Sequence, residues 1–261
     1  MDLCHRLERQ ENSIQMPSII GEKVTAEDKK IPVIRTVSDN QHDIIRDIQT
    51  LYAPDGFELD PTYSKGKFYN KPGIICPPLK YDLFPQTEDT LQASAEALPI
   101  DTGTIRSIMF DPPFIAGHTK KKPTGIIGER FHGFRYVSDL WEWYDKCLAE
   151  FSRVLQDKGV LAFKCQDTVS SAKNWFSHCY IMNRALQHGF YPRDMFVLTA
   201  KTRLIGHNHR KNQSHARKYH CYFWVFEKMT CRVPYDIDEI TEINKRADER
   251  FANKLITTKE I

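Results

Sequence analysis

The run Ile105-Arg106-Ser107-Ile108-Met109-Phe110 reads as a short buried strand, and it feeds directly into Asp111-Pro112-Pro113-Phe114. Proline has no N–H to give to a ladder, so the pair stops the strand and stiffens the residues after it. An acid, two prolines and an aromatic ring at the carboxyl end of a strand make a rigid loop. Open α/β sheets bind ligands at that position.

The rest of the chain supplies such a sheet. Residues 1–35 are polar and mixed in charge, without periodicity, and read as an N-terminal extension. Ser38-Asp39-Asn40 looks like a helix start. Ile44, Ile45, Ile48 and Leu51 follow at helical spacing, and Pro54-Asp55-Gly56 ends the element. Phe57-Glu58-Leu59 reads as a short strand, residues 70–79 as loop and Tyr81-Asp82-Leu83 as a second strand. Beyond an irregular stretch at 115–136, a helix capped by Ser138 carries Trp141, Tyr144, Leu148, Phe151 and Leu155 on one stripe, and Gly159 closes it. Val160–Phe163 is a strand. A helix from near Ser171 to Gly189 carries Trp175, Ile181, Met182 and Leu186, which makes both tryptophans core residues. Met195–Leu198 is a strand, 200–218 a polar loop and Tyr219–Phe226 a final aromatic strand, with a helical tail over 231–261. This alternation predicts an α/β fold over 36–230, with a mostly parallel sheet and helices on both faces.

Composition narrows the class. A chain of 261 residues, 41% of them hydrophobic, can bury one sizeable core. No apolar run approaches the roughly 20 residues of a membrane span, and the first six residues lack the apolar stretch of a signal peptide. The seven cysteines are scattered, with no C-x-x-C pair, which argues against a disulfide framework or a zinc knuckle and for a reducing cytoplasm. The net charge of +3 is too small to identify a polyanionic partner, and the distribution of charge says more.

Two loops carry the chemistry. Asp60-Pro61-Thr62-Tyr63-Ser64-Lys65-Gly66 puts a carboxylate, hydroxyls and a glycine at the mouth of the sheet, where backbone N–H groups can approach a ligand. Asp82 follows about 20 residues later, the distance at which nucleoside-binding α/β folds hold ribose hydroxyls. The Asp111-Pro112-Pro113-Phe114 loop suits a planar exocyclic amine. The lone pair of such an amine is delocalised into its ring. A carboxylate and a backbone carbonyl that accept its N–H bonds draw the nitrogen toward tetrahedral geometry, and an aromatic ring stacks on the base.

On these residues the chain resembles the S-adenosylmethionine-dependent amino-methyltransferases of DNA, closest to small phage or prophage adenine-N6 enzymes. The resemblance runs from about residue 36 to 228. The D-P-P-[YF] catalytic motif corresponds to Asp111, Pro112, Pro113 and Phe114, and the cofactor loop to Asp60 through Gly66. Asp82 matches the ribose-binding acid, Gly159 through Asp167 the strand after the D-P-P helix, and Tyr219 through Lys228 the closing strands. The resemblance implies a Rossmann-like class I methyltransferase sheet of seven strands, the last antiparallel. It also implies S-adenosylmethionine held by Asp60, Pro61, Tyr63, Ser64, Gly66, Asp82 and Ser94. Asp at the first motif position favours adenine over cytosine. Two positions depart from the pattern. Tyr63 replaces the first cofactor glycine, and Ser94 stands where an acid often contacts the cofactor's adenine.

Two basic stretches are candidates for gripping DNA, or RNA, through phosphates. One holds Lys120, Lys121, Lys122 and Arg130. The other holds Arg203, Arg210, Lys211, Arg217 and Lys218, with no acid among them. A target base would be flipped into the pocket. His207-Asn208-His209 lies in the second loop without a supporting acid, so no metal site is expected. RNA adenine or DNA cytosine-N4 methylation, and a degenerate scaffold that only binds nucleic acid or a partner protein, stand as alternatives.

Overall fold

The computed structural model describes residues 33–114, 116, 134–200 and 215–230. The expected extension up to residue 32, the tail from 231, and the basic residues Lys120, Lys121, Lys122, Arg130, Arg203, Arg210 and Lys211 lie outside them.

The elements run β1 (Val37–Ser38), α1 (Gln41–Tyr52), β2 (Leu59–Asp60), a 3₁₀ turn (Lys67–Tyr69), β3 (Leu79–Asp82), β4 (Leu91–Gln92), β5 (Ile105–Phe110), α2 (Val137–Val154), β6 (Leu155–Cys165), β7 (Thr168–Ser170), β8 (Lys173–Trp175), α3 (Ser177–Gln187), β9 (Phe190–Thr199) and β10 (His220–Lys228). One sheet has the order β1-β9-β10-β6-β5-β2-β3-β4. It is parallel except for β10, which runs antiparallel to both β6 and β9. The expected count of seven is therefore corrected to eight, because Val37 and Ser38 pair with Val197 and Leu198 and add a short outer strand.

Helices cover both faces. Ile44, Ile45 and Ile48 of α1 pack on Met109, Ala162, Phe196 and Phe223 on one side. On the other, Leu140, Tyr144, Leu148 and Phe151 of α2 and Ile181 and Ala185 of α3 pack on Phe110, Leu161 and Phe163. Period-two alternation along β5 and β6 sends Met109 and Ala162 to one face and Phe110 and Phe163 to the other. Phe110 meets Phe151 and Phe163 edge-on at 4.7 and 4.8 Å.

Several boundaries differ from the sequence reading for local reasons. Asn40 caps α1 by accepting the His42 N–H at 3.0 Å. The start of α2 is set by Asp139, which accepts the Tyr136 N–H, and not by Ser138. Gly159 does not close α2. The helix ends at Val154, and the chain passes through an irregularity between the Leu155–Ile105 and Val160–Ser107 pairs. A side chain at Gly159 would come within 2.9 Å of both the Gln156 carbonyl oxygen and Leu155 Cδ2, so this glycine serves a close approach. The left-handed position of the turn is Lys158, at φ +60°. The stretch 168–175 is a hairpin, not helix. Trp175 therefore leaves the helical stripe, and it and Trp141 are half-buried.

A left-handed lysine costs roughly 1–2 kcal/mol, which glycine avoids at some entropic cost of its own. Lys158→Gly is expected to stabilise the fold by about 1 kcal/mol or less, read as a higher denaturation midpoint at unchanged slope. A lower midpoint would contradict the strain at this turn.

Candidate active site

Asp60 ends β2 and Asp111 follows β5. Two neighbouring parallel strands thus bring two carboxylates to one edge of the sheet. Thr62 links them. Its hydroxyl accepts the Asp111 N–H at 3.0 Å, while its own N–H and hydroxyl donate to Asp60 Oδ1 at 2.8 and 3.3 Å. Tyr69 Oη donates to Asp60 Oδ2 at 2.8 Å. Asp60 is buried, and burial pushes its carboxyl up to about 7. The Tyr69 and Thr62 hydrogen bonds pull it down, and the charge of Asp111 pushes it up.

The sequence reading missed Lys164. It lies in β6 and is 7% exposed. Its ammonium stands 3.1 Å from Asp111 Oδ1 and donates to Gln41 Oε1 at 3.2 Å. The rings of Phe68, Phe114 and Phe223 surround it, with centroids 4.8, 5.4 and 5.5 Å away. A signal was available. Lys164 interrupts the apolar run Val160-Leu161-Ala162-Phe163, and a lysine in a strand buried on both faces needs a carboxylate partner nearby. Asp111 Oδ1 is covered and held by charge, not by an aligned hydrogen bond. The side chain as a whole is 27% exposed, through its other atoms. Burial raises the Asp111 carboxyl and Lys164 holds it back.

The loop after β2 is tied to β3. Ser64, at φ +52°, donates its N–H to Asp82 Oδ2 at 2.9 Å, and Phe84 donates to Asp82 Oδ1 at 2.8 Å. Gly66 sits at φ +60°, and a Cβ there would collide with Tyr63 Oη. The ring of Tyr63 thus covers Gly66, and it stacks on Tyr69 at 5.8 Å.

A cavity of about 260 Å³ opens between these parts. Asp60, Tyr63, Ser64, Gly66 and Asp111, all expected site residues, line it together with Gln41, Thr62 and Lys164. Pro61, Asp82, Ser94, Pro112, Pro113 and Phe114 do not. Asp82 acts on the loop through its two backbone hydrogen bonds. Ser94 lies past β4 in a bridge with Ala97. The Pro113 carbonyl accepts Tyr144 Oη at 2.7 Å. Arg217 and Lys218 are half-buried just before β10. Among the described residues no three His, Cys, Asp or Glu side chains group as metal ligands, and no helix is long and apolar enough to cross a membrane.

No protein-family model and no curated protein matches the sequence. Solved structures do show likeness. A candidate DNA modification methylase of Thermus thermophilus, complexed with S-adenosyl-L-methionine, shares 16% identity over 53% of this chain and 54% of its own, at a TM-score of 0.36. The cytosine-N4-specific PvuII DNA methyltransferase shares 15% over 52% and 46%, at 0.38. The [4+2]-cyclase SpnF shares 11% over 74% and 81%, at 0.45. The chain spans about half the length of these two methylases.

The raised Asp60 carboxyl has a testable consequence. Its folded value lies above the ordinary 3.8, so the stability tied to its protonation is complete below about pH 4 and lost as pH rises through 7. Asp60→Asn has no proton to lose. Its melting temperature relative to the native protein is expected to rise by a few degrees between pH 5 and pH 8. The same difference at both pH values would refute the buried-acid assignment.

Proposed function

We propose that the chain transfers a methyl group from S-adenosylmethionine to the exocyclic N6 amine of adenine in DNA, within a methyltransferase unit spanning 36–230. The observation that carries this reading is the position of Asp111. It stands at the carboxyl end of β5, beside the β2 loop, and the two share one cavity. The free thiols among the described residues suit a reducing cytoplasm.

The donor set suits the cofactor. S-adenosylmethionine bears a sulfonium, an ammonium and a carboxylate, and the cavity sets the carboxylates of Asp60 and Asp111 against the ammonium of Lys164. Asp60, Ser64 and Gly66 would hold it, with Asp82 fixing Ser64. When bound it supplies an electrophilic methyl group. The protein prepares the nucleophile. Asp111 and the Pro112 carbonyl accept the two N–H bonds of the amine. Among the described residues no donor already occupies that carbonyl, whereas Tyr144 takes the neighbouring one. Phe114 stacks on the base. Lys164 opposes the rise that burial imposes on the Asp111 carboxyl and so favours the carboxylate form, which accepts a hydrogen bond. Alignment of the two reactants supplies much of the rate.

The test is transfer of labelled methyl from S-adenosylmethionine to unmethylated DNA, with matched RNA in parallel and the product nucleoside identified by mass spectrometry. Methyladenine in DNA is the expected product. Methylcytosine, or transfer to RNA only, would move the reading to those substrates. A protein that neither binds the cofactor nor transfers methyl would be a binding scaffold, with Tyr63 over Gly66 as the cause. Asp111→Ala is expected to keep cofactor binding and lose transfer by about 100-fold or more. Near-normal turnover would remove Asp111 from the mechanism. Lys164→Met is expected to move the acid limb of the rate profile to higher pH, because Asp111 then faces its burial unopposed. An unmoved limb would contradict the pairing.

A further inference from the structure

We infer that the β7–β8 hairpin and the start of α3 form a stacking platform for a single-stranded stretch of nucleic acid beside the target base. The platform presupposes methyl transfer to a nucleic acid at the Asp111 site. The hairpin leaves the carboxyl end of β6, next to β5, so it rises from the same edge of the sheet as Asp111.

Its geometry is fixed, not floppy. Ser171 and Ala172 form a two-residue tip between the paired Ser170 and Lys173, and both have positive φ, at 51° and 58°. That turn normally calls for Asn-Gly, so two ordinary residues there are strained. His215, just before β10, pins the tip. Its Nε2 lies 3.0 Å from the Ala172 carbonyl oxygen, and its Nδ1 lies 3.3 Å from Asn174 Nδ2. Beneath, Trp175 meets Trp141 edge-on at 5.1 Å, and Trp141 stacks on Tyr180 at 4.3 Å.

What this support presents outward is aromatic and cationic. Phe176 is 50% exposed, an outlay of ring surface that folding does not require. Lys218 Nζ lies 5.8 Å from its centroid, and Lys173 Nζ lies 4.6 Å from that of Trp175. Exposed rings with cations beside them bind unpaired bases through stacking and phosphates through charge. A duplex keeps its base faces stacked inside and offers Phe176 nothing.

The test is fluorescence anisotropy of the full chain, without cofactor, on labelled single-stranded DNA, single-stranded RNA and the matching DNA duplex. The native protein is expected to bind a single strand more tightly than the duplex, and the two single-stranded arms identify the polymer. Phe176→Ala should weaken single-strand binding about 10-fold while changing duplex binding little, and Phe176→Trp should restore it. Lys173→Ala should weaken all arms and flatten the salt dependence by about one phosphate contact. Native-like single-strand binding by Phe176→Ala would overturn the platform while leaving methyl transfer intact. A native protein that binds no arm would overturn the platform and the nucleic-acid reading together.

Discussion

Thr62 is the fastener on which this edge of the sheet depends. One side chain takes the Asp111 N–H and gives its own hydroxyl to Asp60, so the ends of β2 and β5 cannot move independently. The reach matters because β2 is only two residues long and has little ladder with which to hold its place. Removing this partly buried hydroxyl would leave the Asp111 N–H without its partner, which costs more than the bond contributes when made. The position of both carboxylates, and of the cavity between them, follows from this joint.

Charge is arranged around the same joint with little room to spare. Two carboxylates share one cavity, the Lys164 ammonium stands against Asp111, and burial pushes the Asp60 carboxyl up to about 7. Lys164 is committed to Asp111 and enclosed by rings that favour a cation without hydrogen-bonding it. The aromatic enclosure thus does for the lysine what water does elsewhere.

Much of this was legible in the sequence, and the failures have physical causes. The strand Ile105–Phe110 announces itself because both ends are marked, by apolar pattern on one side and prolines on the other. The α1 stripe is as clear for Ile44, Ile45 and Ile48, whereas Leu51 at its end is exposed; the final aromatic strand shows in the pattern, and its antiparallel direction comes from the resemblance. The hairpin at 168–175 was hidden because Ser171-Ala172 is not turn chemistry, and its conformation is enforced by His215 from a distant part of the chain. Gly159 was noticed for the wrong reason, since a glycine that admits a neighbouring carbonyl looks in sequence like one that ends a helix. Lys164 was overlooked because a partner across a strand pair is a tertiary fact. Spacing points to Asp82 and only the resemblance points to Ser94; the first braces the loop, while the second stands apart from the cavity.

The sheet also polices its own borders. Among the described residues its outermost strands, β1 and β4, are two residues each. A passing extended chain needs a row of unpaired N–H and C=O groups to add itself as a ninth strand, and a border this short offers almost none. A strongly apolar, largely parallel interior is the kind that invites cross-chain pairing. Here the two-residue border strands cut that pairing short, so the guard against it lies in strand length.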